Sequence, residues 1–282
     1  MKAYYEKRSY PQNMPLRIYK HQNCSFSFHA HWHSDIELVF VGEGTLRFGI
    51  NRDIKTLGKG DVAICCSGDI HFYENINMES TIYILIFKPS FIGCHGNWPE
   101  DIRFKSSFIT HDIIEENKID PSILSRIEEI FHNVYHEMNN CEPYFHMFVG
   151  SKIMELCGIL QRNIPSLLID SLKENKRISN LKIMQKVIYY LESNYMNPLT
   201  LAETASYFNL STFHFCRQFQ SLTGTNFKHY LNSIRIDIAE EQIKSSNSSI
   251  TTIALECGFN NIRTFNRVFR SLKGYTPSSL RL

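Results

Sequence analysis

The sequence predicts an α+β chain of two domains. An antiparallel β barrel or sandwich carrying a helical hairpin comes first, and an all-α domain with two helix-turn-helix motifs follows. Three observations predict this. The early sequence is a series of short β-branched and aromatic runs divided by turn signals. The hydrophobic period switches to that of a helix near Pro121. The tail contains a segment that repeats itself at an offset of 49 to 50 residues.

The β elements are IELVFV, TLRFGI, DVAICC and TIYILIF. They are separated by GEG at 42–44, NRD at 51–53, GKGD at 58–61 and SGD at 67–69. Short runs at close spacing between such turns predict a barrel or sandwich. From Pro121, Ile123, Ile127, Ile130, Phe131 and Val134 fall on one helical stripe. Between Tyr144 and Leu160, a second stripe contains Phe148, Ile153, Leu156 and Ile159. These apolar residues exceed what one helix needs, so the hairpin at 111–164 is expected to join two copies as a homodimer, the alternative being that the stripes simply pack against the barrel. Residues 165–180, PSLLIDSLKENKRISN, read as a linker of polar and breaking residues between a first domain (1–110 plus the hairpin) and an all-helical domain at 181–282.

The repeat sets LAETASYFNLSTFHFCRQFQSLTG (201–224) against ITTIALECGFNNIRTFNRVFRSLKG (250–274). Ala205 aligns with Ala254, Asn209 with Gly258, Phe215 with Phe265, Arg217 with Arg267, Phe219 with Phe269 and Gly224 with Gly274. A duplicated supersecondary unit explains this. Each copy predicts a short helix with a small residue where its partner packs, then a turn that needs positive φ. Gly258 adopts that conformation freely, and Asn209 is among the few other residues that tolerate it. A polar cap follows, Ser211 in one copy and Asn260 or Asn261 in the other. The second helix of each copy then buries an i, i+4 phenylalanine pair. The motifs span about 201–222 and 250–272.

Composition narrows the function classes. No run approaches eighteen consecutive apolar residues, and the N-terminus lacks an apolar core of signal-peptide length, so a cytoplasmic protein is expected. The eight cysteines form no C-x-x-C pair, which argues against a disulfide or zinc-ribbon framework. Residues 1–182 carry 20 Lys+Arg against 22 Asp+Glu, a balance of −2, while residues 183–282 carry 10 against 6, a balance of +4. A basic tail suits a polyanion partner.

The tail resembles the DNA-binding domain of the AraC/XylS family of transcription regulators over roughly residues 181–282. The closing GYTPSSLR resembles that family's C-terminal signature, and RIDIAEEQI its helix between the two motifs. The resemblance implies that both second helices enter successive major-groove segments, about one turn or ~34 Å apart. The outward positions expected to read bases are Thr212, Phe213, Cys216 and Arg217 on one helix, and Ile262, Arg263, Asn266 and Arg267 on the other. Arg grips guanine and Asn adenine through paired hydrogen bonds, and Phe213 or Ile262 can touch a thymine methyl. Ser211, Thr264, Arg270 and Lys273 are expected at the phosphate backbone.

The stretch HAHWHSDIE (29–37) resembles the first motif of cupins, small antiparallel barrels: His31, His33, Glu37 and Gly44 keep its spacing. A second motif runs from Gly60 through Gly68 and His71 to Asn75, with Cys66 where proline is usual. In one strand, residues 31, 33, 35 and 37 would share a face. With His71 brought from another strand, the set can hold a divalent transition metal, or it can hydrogen-bond an organic effector directly. His29 and Trp32 read as rim or packing residues. The resemblances together imply a regulator whose barrel binds a small molecule, a sugar or sugar derivative by analogy with relatives that control carbohydrate use. Its partners are then double-stranded DNA, the effector, a second copy of the chain and, for an activator, RNA polymerase. No enzyme activity is expected, the alternative being a metal-dependent cupin enzyme with an appended DNA-binding domain.

Overall fold

The computed structural model describes residues 14–24, 26–75, 79–91, 102–168 and 171–281. Cys94 and the N-terminal residues 1–13 lie outside them. Among the described residues ten strands come first: β1 (Leu16–Gln22), β2 (Phe26–His31), β3 (Ile36–Glu43), β4 (Leu46–Ile50), β5 (Asp53–Leu57), β6 (Val62–Cys65), β7 (His71–Asn75), β8 (Thr81–Phe87), β9 (Ile102–Phe104) and β10 (Phe108–Ile109). All but β9 form two antiparallel sheets, ordered β1-β8-β3-β6-β10 and β2-β7-β4-β5. Between them lies one apolar layer, with Val39, Val41, Phe48, Tyr73, Ile84 and Phe108.

Strands β3 and β8 are buried on both faces, which is why they read as continuous apolar runs. Their alternate residues, Leu38, Phe40, Tyr83, Leu85 and Phe87, face a second layer made by helices. After the short α1 (His111–Glu116), α2 (Ser122–Asn140) and α3 (Phe145–Asn163) supply that cover. Ile123, Ile127, Ile130, Phe131, Val134, Ile153, Leu156 and Ile159 are all buried there. The stripes expected to form a seam between two copies are therefore spent on the barrel, because the outer face of the sheet is itself apolar. Phe148 is the exception and is exposed.

Residues 165–180 are not an irregular linker. β11 (Ser166–Leu168) pairs antiparallel with β9, and α4 (Ser171–Ser193) begins at once. The reason is local: SLKENKRISN has no Pro or Gly, and its Leu, Lys, Glu and Arg are good helix formers.

Beyond α4 come α5 (Leu201–Tyr207), α6 (Thr212–Thr223), α7 (Phe227–Ser245), α8 (Ile250–Glu256) and α9 (Ile262–Lys273), closed by a 3-10 turn at Pro277–Arg281. Both turn residues adopt positive φ, 55° at Asn209 and 84° at Gly258. The Ser211 hydroxyl accepts from His214 N at 3.3 Å, and Asn261 Oδ1 from Thr264 N at 2.8 Å, so Asn261 rather than Asn260 is the second cap. Arg235 on α7 donates to the Tyr195 and Asn197 carbonyls, both at 2.8 Å, tying the end of α4 to the connecting helix.

The second motif has its own core around Phe265 and Phe269. The first does not. Phe215, Phe219, Leu222 and Tyr230 share a core with Ala30, Ile70 and Phe72 of the barrel.

Candidate functional site

His31, His33, Glu37 and His71 converge, with one ligand atom from each lying within 4.8 Å of the others. All four side chains are buried, His71 and Glu37 completely. The chain reaches this arrangement by turning a corner rather than by alternation along one strand. His31 ends β2, His33 lies in the connection, Glu37 is near the start of β3 and His71 opens β7. Asp35 is therefore no ligand by face-sharing; its carbonyl instead accepts from His33.

The hydrogen bonds fix the tautomers. The Nδ1–H groups of His31, His33 and His71 donate to the carbonyls of His29, Asp35 and Asp69, at 2.8, 3.0 and 3.0 Å. A carbonyl only accepts, so each Nδ1 holds the ring's proton, and each Nε2 in the neutral ring presents a lone pair. His33 Nε2 lies 3.1 Å and His71 Nε2 3.6 Å from Glu37 Oε2. His71 Nε2 is buried with no hydrogen-bond partner among the described residues. Burial, with the neighbouring His71, holds the His31 pKa well below its ordinary value, and so keeps that ring in the neutral form that ligates metals.

Three imidazole nitrogens and a carboxylate thus gather in a buried site, one ligand atom from each within 4.8 Å of the others. Without a cation or an added proton the cluster would bury an uncompensated negative charge, which is costly. The backbone carbonyls behind each ring are the outer-shell partners that orient metal-ligating histidines. The residues fit a divalent transition metal; His and carboxylate together suit zinc, iron, manganese or nickel.

The expected DNA-reading residues fall on the outer faces of α6 and α9. Thr212, Phe213 and Arg217 are exposed, and Cys216 is half-buried. Arg217 stacks over the Phe213 ring at 5.8 Å. Arg263, Asn266 and Arg267 are exposed, and Asn266, Arg267 and Arg270 line an open concavity with Ser271 and Thr276. Two expectations shift. Ile262 packs partly into the core of the second motif, which reduces what it can offer a base. The Lys273 ammonium is held by Asp237 at 2.8 Å and Glu240 at 2.5 Å, so it crosslinks α9 to α7 instead of waiting for a phosphate.

Several side chains join the two domains: His29 and Trp32, expected as rim or packing residues, and Gln185, Tyr230 and Asp237, which no motif in the sequence singles out. His29 Nε2 lies 2.9 Å from Asp237 Oδ2, and Gln185 Nε2 donates to Gly68 O at 2.7 Å. The Tyr230 hydroxyl donates to Ala30 O at 2.7 Å and lies 3.5 Å from Glu192. Trp32 packs against the shared core. Tyr230 sits on α7 and Ala30 on β2, 200 residues apart, and no periodicity announces such a pairing.

Comparison with known proteins matches both halves. Residues 17–140 match the AraC-like ligand binding domain family, and residues 204–282 a helix-turn-helix domain family. The chain is similar to the HTH-type transcriptional activator RhaS of Escherichia fergusonii, 26% identical over 90% of this chain and 88% of that protein. It is also similar to the raffinose operon transcriptional regulatory protein RafR of Pediococcus pentosaceus, 24% identical over 95% and 89%. Among solved structures, ToxT of Vibrio cholerae aligns at 14% identity over 95% of this chain and 97% of its own, with a TM-score of 0.46. Among the described residues no helix is long and apolar enough to cross a membrane.

Proposed function

From the premise that the chain belongs to the AraC family of transcription regulators, with a ligand-binding domain ahead of its helix-turn-helix motifs, we propose that it reads operator DNA with α6 and α9 under the control of a ligand held by His31, His33, Glu37 and His71. Arg217, Arg263, Asn266 and Arg267 carry the base contacts, with Thr212, Phe213 and Cys216 beside them, Ile262 peripheral, and Ser211 and Arg270 at the backbone. The ligand is a divalent transition metal. The observation that carries this choice is the shared tautomer: backbone carbonyls take the three Nδ1 protons, which leaves three Nε2 atoms buried beside a carboxylate, one ligand atom from each residue within 4.8 Å of the others. A bound cation supplies the compensating charge, while the protein holds the three rings in place through their Nδ1 protons.

A second reading has one observation in its favour. A relative is the regulator of a raffinose operon, and sugar hydroxyls can donate to the same set of acceptors. Activation of transcription, as in the relative named an activator, requires a polymerase contact made by this protein on promoter DNA. We place a homodimer seam on the outer face of α3, where Tyr144, Met147, Phe148 and Met154 are exposed at the spacing of one helical stripe.

The test is metal content per chain on protein purified without a histidine tag or chelator. Near-stoichiometric zinc, iron, manganese or nickel is expected, and it should be lost in His31→Ala. Metal-free protein that still binds DNA would overturn the metal reading and turn the search to sugars.

A further inference from the structure

β2 pairs with β7 in register at Phe28↔Tyr73 and again at His31↔His71. Two residues, His29 and Ala30, therefore oppose the single residue Phe72. This extra residue is a β-bulge, a feature that re-aims side chains next to functional sites. Its effect here is specific. Phe28 packs inside the barrel; strict alternation would then send His31 outward, and the bulge returns it to the cluster.

The residues displaced by the bulge, and the one opposite, are among those that hold the DNA-binding domain. His29 meets Asp237, the Ala30 carbonyl receives the Tyr230 hydroxyl, and Phe72 packs into the core of the first motif. The fit at Phe72 is close: a Cβ placed on Gly224, the residue that ends α6, would lie 2.2 Å from Phe72 Cζ. Asp237 in turn holds Lys273 at the end of α9. One short patch of β2 and β7 thus presents two ligands inward and contacts to both helix-turn-helix units outward.

We propose that this bulge couples the ligand site to the DNA-binding domain: filling the four-residue cluster fixes His31 and His71, and so clamps His29, Ala30 and Phe72 against α6 and α7. The inference rests on the metal reading of the cluster and adds to it the route by which occupancy reaches the DNA-binding helices. Both recognition faces stay open in the docked arrangement, since Phe213, Arg217, Arg263 and Arg267 are exposed. Docking therefore sets the orientation of the helices and does not block them. A ligand shifts such an equilibrium only by its differential affinity for the two states, and the pair of ligands on the bulge strands supplies that difference.

The test is hydrogen exchange on the full chain, with and without zinc(II), in wild type and in Tyr230→Phe and Phe72→Ala. Zinc binding is measured separately by titration. In wild type, zinc should slow exchange in β2 and β7 and also in α6 and α7, which contain no ligand, by about 5-fold or more, the low end of measured couplings. In both variants zinc should still bind, with protection confined to the barrel. Tyr230→Phe keeps the ring and removes only the hydroxyl, with its contacts to the Ala30 carbonyl and Glu192, so it serves if Phe72→Ala fails to fold. Zinc that binds wild type and protects β2 and β7 while leaving α6 and α7 unchanged overturns the coupling and spares the metal site. Protection of α6 and α7 that persists in both variants overturns the bulge as its route. A titration in which zinc(II), iron(II), manganese(II) and nickel(II) all fail to bind overturns the metal reading, and the coupling with it.

Discussion

At the scale of single residues, two side chains make the sharpest claims. Arg267 is exposed on α9, two residues from each of the buried Phe265 and Phe269 that fix the helix and so on its opposite face. Arg267→Ala should weaken specific DNA binding by about 1–3 kcal/mol and relax preference at one base pair. A selection from random duplexes that returns the same consensus with the same affinity would remove it as a reader. Glu192 makes the second claim. Burial pushes its carboxyl up to about 9, so the folded chain keeps a proton that the unfolded chain gives up near the ordinary value of 4.5. Between those values the folded state binds more protons, and stability falls as pH rises. Glu192→Gln should flatten the decline between pH 5 and pH 9, a slope of order 1 kcal/mol per pH unit. Parallel melting-temperature profiles for the two proteins would show that Glu192 ionises freely. The four cluster residues were legible in the sequence because their spacing is local, His71 apart. Their tautomers were not, because these depend on the carbonyls at His29, Asp35 and Asp69.

At the scale of elements, local chemistry was readable and long-range contacts were not. The turns at Asn209 and Gly258 and the caps at Ser211 and Asn261 follow from one or two residues each, and their geometry agrees. α4 was hidden because a polar helix start looks like a loop when composition alone is weighed. α2 and α3 are legible as helices, but their partner is not, since an apolar stripe does not say whether a sheet or a second subunit covers it. The answer came from β3 and β8, whose apolar outer faces need that cover. What remains for a second copy is the opposite face of α3, where Met147 and Phe148 are more than half exposed. Phe148→Asp should leave the fold intact, because this side chain lies outside the core, and should turn a dimer into a monomer in light scattering. Wild-type chain that is monomeric at the same micromolar concentration would contradict the seam.

At the scale of the whole molecule, the charge asymmetry and the positions of the arginines lead to one further expectation. The tail's excess of +4, from 10 Lys+Arg against 6 Asp+Glu over 183–282, is partly consumed inside the fold. Lys273 is bound by Asp237 and Glu240, Lys244 pairs with Glu240, and Arg235 is buried against backbone carbonyls. Lys186, Lys228 and Arg281 are exposed elsewhere on the domain, and the cations that face outward on the two second helices are Arg217 on α6 and Arg263, Arg267 and Arg270 on α9. Two roles are mixed in this set, and salt separates them. Each phosphate neutralised releases counterions and adds about −0.9 to the slope of log affinity against log salt. A residue that only touches phosphate should lower the magnitude of that slope without changing the preferred sequence. Arg270, at the end of the stripe beside Ser271 and Thr276, is placed for that role. Arg270→Ala should therefore reduce the slope by about one unit, weaken all duplexes alike and leave the selected consensus unchanged, the reverse of the pattern expected for Arg267→Ala. If the Arg270 variant instead loses discrimination at one position at constant salt slope, the two arginines exchange roles, and α9 enters the groove turned by about one helical position from the orientation inferred here.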